Sequence, residues 1–160
     1  PYGTAFVKNS YIGRTFIKPK QKSRESSVQV KLNVLKESVA GKRIVMVDDS
    51  IVRGTTCGRI VGMLRKAGAR EVHVRISAPP FLHPCYFGTD IPSEDQLIAH
   101  GRTVEEICRE IGADSLHYIP LDLMVKSCGG GPYCTACFDG NYPMDISEKA
   151  TISVGTALEA

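Results

Sequence analysis

The sequence predicts an α/β fold: a mainly parallel sheet flanked by helices, with a flexible basic loop near its start and a Cys-containing segment near its end. Three observations carry this. An apolar, β-branched run at 43–48 is followed by a helix-period segment at 55–67 and then by an alternating run at 71–77. That strand–helix–strand order is a right-handed parallel crossover. A second cycle of helix and strand follows at 103–111 and 115–119.

The elements can be justified in order. Residues 4–8 read as a short strand. Residues 9–27 lack apolar periodicity and are rich in Lys, Arg, Ser and Gly; loops this long inside a domain are often active-site lids. Residues 28–36 fit a strand or a helix. In the helix at 55–67, Cys57, Ile60, Val61 and Leu64 share one face, Thr55 or Thr56 can cap the start, and Gly68 suits the end. Ser93-x-x-Gln96 and Thr103-x-x-Glu106 have capping-box spacing and predict helices at roughly 93–100 and 103–111. Val104, Ile107, Cys108 and Ile111 form the apolar face of the second. A helix from Pro120 to Ser127 follows the strand at 115–119. Residues 128–144 are rich in Gly, Cys and Pro, and the low-complexity tail at 147–160 is expected to be poorly ordered. There is no internal repeat.

Composition excludes several classes. A chain of 160 residues, 42% of them hydrophobic, suits one domain with a sizeable core. A net charge of +3 lacks the strong basic footprint of a nucleic-acid binder. No apolar run is long enough for a membrane helix, and no signal peptide is visible. The chain begins with Pro1, so a fragment or processed product is expected. The six cysteines, on an α/β pattern, point to the reducing cytosol, where Cys clusters bind metal more often than they form disulfides.

The richest stretch is Val45 to Thr56, VMVDDSIVRGTT. Two adjacent carboxylates end a strand, a small-residue turn follows, and a helix begins. Open α/β sheets bind ligands at the carboxyl ends of their strands. The N–H groups of Gly54, Thr55 and Thr56 open onto the positive end of the helix, a ready phosphate site. Asp48 and Asp49 can accept hydrogen bonds from vicinal sugar hydroxyls, so one stretch would hold a ribose and its 5′-phosphate. The alternative is a buried strand followed by an acidic cap. It is disfavoured because desolvating two unpaired charges is costly. Upstream, six cations (Lys8, Arg14, Lys18, Lys20, Lys22 and Arg24) lie between Lys8 and Arg24 with no acid among them. Such a run is either a solvated loop or a basic lid. Close in sequence to a phosphate site, a lid would offset the charge of a phosphate-bearing ligand and exclude water from it.

VDDSIVRGTT resembles the substrate motif of type I phosphoribosyltransferases, which bind phosphoribosyl pyrophosphate (PRPP). The wording of VKNSYIGRTFIKP, KLNVL, ISAPP, HPCYFGTDIPS, LIAHGR and the EEI…REIGAD segment narrows this. Across roughly residues 1–146 the chain resembles the glutamine phosphoribosylpyrophosphate amidotransferases. The resemblance implies that Asp48 and Asp49 bind the ribose hydroxyls and help place Mg2+. It implies that Ser50, Arg53, Gly54, Thr55 and Thr56 form the 5′-phosphate loop. Lys8, Tyr11, Gly13 and Arg14 would belong to the flexible loop, with Lys8 at the substrate and Tyr11 near the path of ammonia. The implied reaction joins ammonia, released from glutamine by a glutaminase domain, to PRPP. It gives 5-phosphoribosylamine, pyrophosphate and glutamate at the first committed step of purine synthesis. Feedback by purine nucleotides, a homo-tetramer and a cytoplasmic location are implied as well. The family's glutaminase half and pyrophosphate loop both precede the region matched here. Residues 1–146 are therefore expected to be a partial transferase domain with weak activity or none alone.

The cysteines divide. Cys134-x-x-Cys137 in GGGPYCTACFDG has a spacing that lets both thiolates reach one metal or cluster, or is a turn with packed thiols. By resemblance to the iron–sulfur members of the family, Cys85, Cys134 and Cys137 would be three ligands of a structural 4Fe–4S cluster, with the fourth upstream. Cys108 has core spacing. Cys57, in the first helical turn, sits where a thiol pKa can fall, yet packing is its expected role. Cys128 is a spare thiol. His73, His83, His100 and His117 are expected to be satisfied or surface residues rather than bases.

Two rivals remain. A ligand sensor on the same fold has no need of a water-excluding lid, and a DNA-binding segment would favour it. A free-standing base phosphoribosyltransferase would need a base-recognising hood, which the CxxC and HPCYFGTDIPS segments fit poorly.

Overall fold

The computed structural model describes residues 2–8, 32–89, 91 and 93–146. Two short strands, β1 (Phe6–Lys8) and β2 (Leu32–Val34), pair antiparallel, with Phe6 opposite Val34 and Lys8 opposite Leu32. The ambiguous stretch thus ends as a strand and turns directly into α1 (Lys36–Val39); residues 28–31 lie outside the described residues.

The central sheet is parallel, with strand order β3–β4–β5: β3 (Arg43–Asp48), β4 (Glu71–Ile76) and β5 (Ser115–Tyr118). Helix α2 (Thr55–Lys66) makes the expected crossover from β3 to β4, and α3 (Val104–Glu110) precedes β5. Strand alternation decides what each face does. Ile44, Met46, Val72, Val74, Ile76 and Leu116 point into the core, where Cys57, Val61 and Leu64 of α2 and Ile107 and Ile111 of the α3 region meet them. Each fully buried aliphatic side chain of this set contributes about 1.5–3 kcal/mol. The register puts Val45 beside His73 and Val47 beside Arg75 on the other face, where the two valines stay 62% and 71% exposed.

Three local expectations change. The helix expected at 93–100 is one 3-10 turn, Glu94–Gln96, and Ser93 caps nothing there. Its Oγ instead accepts a hydrogen bond from Gln96 Nε2 at 3.1 Å. The Thr103–Glu106 capping box does form, with both reciprocal bonds present. Neither Thr55 nor Thr56 caps α2: Gly54 holds the cap position at φ 75° with no side-chain bond. Past β5, α4 (Leu121–Ser127) starts one residue after Pro120, and a short helix α5 (Ala136–Asp139) forms inside the Gly/Cys-rich segment. The tail at 147–160 lies outside the described residues.

Candidate functional site

The site is built on the end of β3. Asp48 is its last residue, half-buried, and its carbonyl accepts bonds from the Ser77 N–H at 3.0 Å and the Ser77 hydroxyl at 3.1 Å, just past the end of β4. Asp49 N–H donates to Asp48 Oδ1 at 3.0 Å, and the Ser50 hydroxyl donates to Asp49 Oδ1 at 3.2 Å. Burial pushes the Asp48 carboxyl above the ordinary range, the Asp49 N–H opposes this, and the neighbouring Asp49 carboxylate adds to it. Asp48 therefore holds its charge at a cost, as a residue does that awaits hydroxyl donors or a cation.

The chain then turns through Val52, Arg53 and Gly54 into α2. Gly54 is required twice over. Its φ is left-handed, and a Cβ there would lie 2.2 Å from Ile98 Cδ1. The first turn of α2 has no side-chain cap and no acidic residue. Its leading N–H groups lack intrahelical acceptors and carry the positive end of the helix dipole. The acid pair and this uncapped turn are six residues apart and adjoin the same strand end. Behind them, Cys57 is buried, and burial followed by the Asp48 charge pushes its thiol up to about 12. Packing, not activation, is its role. The Tyr118 hydroxyl is buried without a hydrogen-bond partner among the described residues. Burial, then Cys57, pushes it to about 12. No sequence signal pointed to it.

A segment that sequence reasoning missed flanks the loop. Arg53 Nη2 donates to Gln96 Oε1, and Ile98 N–H donates to the Val52 carbonyl at 2.8 Å. Gln96 was expected only as a helix cap. On the open face, a depression of about 290 Å³ runs across the carboxyl ends of the strands, lined by residues including Val47, Arg75, Ser77 and His117. The larger open groove, of about 810 Å³, follows α4 and contains none of the acid-pair or phosphate-loop residues.

Lys8 is exposed at the end of β1. Tyr11, Gly13 and Arg14, with the other lid cations, lie outside the described residues. The histidines have partners elsewhere: His73 with Ser115 and Glu71, His100 with Glu94 and the Leu82 carbonyl, His83 with Glu94. His117 lies exposed on the open sheet face.

Cys85 and Cys137 come together in a second apolar cluster with Phe81, Ile91, Leu97 and Phe138. The N–H groups of Leu82 and His83 both donate to the Cys137 carbonyl, and Tyr142 Oη donates to the Pro84 carbonyl at 2.7 Å, so the CxxC segment is folded onto the HPCYFG segment. Burial raises the Cys85 thiol, but N–H donors from Gly88, Phe87 and Thr89 outweigh it and hold the thiol below its usual value. Cys137 is pushed up to about 11 by burial, then by Cys85 and Cys134 nearby. Three soft donors thus share one neighbourhood, although among the described residues no three His, Cys, Asp or Glu are grouped closely enough to hold a metal ion. Cys108 donates to the Ala113 carbonyl and packs on the core, and Cys128 is exposed.

No family model matches the chain. The chain is 52% identical over 151 residues to the amidophosphoribosyltransferase of Synechococcus elongatus, a match that covers 93% of this chain and 31% of that protein. It is 49% identical over 158 residues to the amidophosphoribosyltransferase of Bacillus subtilis, covering 95% and 33%. The fold superposes on the glutamine PRPP amidotransferase of B. subtilis complexed with ADP and GMP, with a TM-score of 0.77 at 51% identity over 92% of this chain and 34% of that one. The chain spans about a third of the length of the curated relatives it matches. Its architecture is that of the type I phosphoribosyltransferases.

Proposed function

We propose that this chain is the PRPP-binding part of an amidophosphoribosyltransferase. The observation that carries the reading is the juxtaposition of Asp48 and Asp49 at the end of β3 with the uncapped start of α2. Asp48 and Asp49 accept hydrogen bonds from the ribose hydroxyls. Ser50, Arg53, Gly54, Thr55 and Thr56 enclose the 5′-phosphate, with backbone N–H groups supplying most of the donors. Lys8 and the lid residues Tyr11, Gly13 and Arg14 close over the pyrophosphate. Ammonia, delivered from a glutaminase domain, forms the new C–N bond at C1. The C1–O bond to pyrophosphate breaks, the pyrophosphate leaves with the bonding pair, and the surplus proton on nitrogen passes to solvent. Ammonia is a competent nucleophile, so the residues need to position and shield rather than abstract a proton.

Two carboxylates suit Mg2+, which keeps several waters and completes its shell with substrate phosphates. When bound, Mg2+ would offset charge on the pyrophosphate. By the resemblance, Cys85, Cys134 and Cys137 would be three ligands of a structural 4Fe–4S cluster, for which the three thiols would have to draw closer together than they stand among the described residues. The nucleotides held by the B. subtilis relative support feedback by purine nucleotides here too. A homo-tetramer and a cytoplasmic location complete the reading, with neither membrane nor nucleic acid as a partner; no helix among the described residues is long and apolar enough to cross a membrane.

Calorimetry with PRPP and Mg2+ tests this. The unaltered protein should bind, and Asp48→Asn/Asp49→Asn should abolish the heat. Equal binding by the double variant would refute the placement of the ribose.

A further inference from the structure

We propose that Gln96 is a positioning residue for the phosphate loop: it aims the Arg53 guanidinium at the 5′-phosphate, and the Ser93–Ile98 segment forms the outer wall that keeps the loop in shape. This rests on the reading of residues 50–56 as a 5′-phosphate site. The Gln96 amide is held at both ends. Its Oε1 accepts from Arg53 Nη2, while its Nε2 donates to Ser93 Oγ at 3.1 Å. With the NH2 end committed to Ser93, the carbonyl end faces Arg53. Two residues on, the Ile98 N–H donates to the Val52 carbonyl at 2.8 Å, and the Ile98 side chain fills the space over Gly54. The wall therefore meets Val52, Arg53 and Gly54, three consecutive residues of the loop.

The chemistry favours an amide here. An exposed arginine samples many rotamers, and ordering it when ligand arrives weakens binding. A neutral acceptor orders the guanidinium in advance and leaves its full positive charge for an anion. A carboxylate at the same place would also order it. A leucine fills similar space and orders nothing.

The test is steady-state kinetics on the intact protein with PRPP and ammonium, comparing Gln96→Leu, Gln96→Glu and Ser93→Ala. Loss of a pre-ordered arginine should raise KM for PRPP about tenfold in Gln96→Leu with kcat within about twofold. Gln96→Glu should recover part of that loss, because it restores the acceptor but offsets some of the guanidinium charge. Ser93→Ala, which frees one end of the amide, should raise KM about two- to threefold. An unchanged KM in Gln96→Leu overturns the assignment. If Gln96→Leu fails to fold, Ser93→Ala decides: a KM equal to that of the unaltered protein overturns the assignment. An unaltered protein that neither binds nor turns over PRPP overturns the phosphate reading and this inference together.

Discussion

At the residue scale, Asp48 shows a site working against its own stability. Its folded pKa is raised, chiefly by burial. Well above that pKa the folded carboxylate is ionised at a cost that the unfolded chain, titrating near 3.9, does not bear. As pH falls through the raised folded value the folded protein takes up its proton first, and the cost is relieved; below about 3.9 both states are protonated. Asp48→Asn should therefore melt higher than the unaltered ligand-free protein at neutral pH while losing PRPP. The gain should shrink as pH is lowered between those two values. Thermal melts of both proteins across pH check this, and a variant that melts lower at neutral pH would remove the argument from strain. Gly54 behaves oppositely. Ala there must adopt a left-handed φ and push aside Ile98 Cδ1. About 1–3 kcal/mol of destabilisation is expected, read from urea midpoints, and an unshifted midpoint would contradict it. The acid pair and Gly54 were legible because both requirements are local: charge at a strand end and a turn into a helix. Gln96 was legible only as a cap. Serine and glutamine three apart do signal a helix start, but the partner that decides the fate of Gln96 lies in the β3–α2 loop, beyond the reach of a spacing rule.

At the element scale, one carboxylate holds the crossover together. Asp114, in the turn before β5, accepts from the Val72 N–H and from Arg65 Nη2, each at 2.6 Å. It joins the end of α2, the start of β4 and the entry to β5. The Val72 N–H, more than Arg65, holds its pKa below the ordinary range. The ion pair itself is a third exposed on both sides and is screened. The main loss in Asp114→Ala is thus the stranded Val72 N–H, and about 1–3 kcal/mol should go. A depressed folded pKa gives stability that is complete above the unfolded value near 3.9 and fades as pH falls through the folded value. The gap between unaltered protein and variant, measured by denaturant unfolding, should be full at pH 6 and narrow in strong acid, where a protonated carboxyl still accepts from the Val72 N–H, though more weakly. A gap that stayed constant into strong acid would show that the charge is not the cause. The strand–helix–strand core was readable because apolar periods of 2 and 3.6 report burial directly. The β1–β2 pairing was not, because two strands of three residues carry almost no periodic signal.

At the scale of the whole molecule, binding and turnover should separate. On the proposed reading, the ribose and 5′-phosphate contacts would lie at one strand end, the part that needs only β3, α2 and their flanking wall. Turnover needs more: offset of the leaving charge and exclusion of water from C1. By the resemblance, those depend on the basic lid and on a pyrophosphate loop upstream of the region matched here. Among the described residues the sheet is covered on one face, whereas parallel sheets are ordinarily covered on both. Val45 and Val47 lie bare on the other. Such a chain has little stability to spare and should respond visibly to ligand. At PRPP–Mg2+ a hundredfold above its Kd, linkage gives about 2.7 kcal/mol, which raises the melting temperature by about 5–10 °C for a domain of this size. Asp48→Asn/Asp49→Asn should abolish that rise. The same chain, given PRPP and ammonium, should release pyrophosphate no faster than the double variant. A melting shift without turnover would locate recognition in these residues and catalysis in their combination with the rest of the enzyme. Turnover near that of the intact protein would mean that β3, α2 and the lid suffice to stabilise the leaving group, and that the upstream loop contributes little to the chemistry.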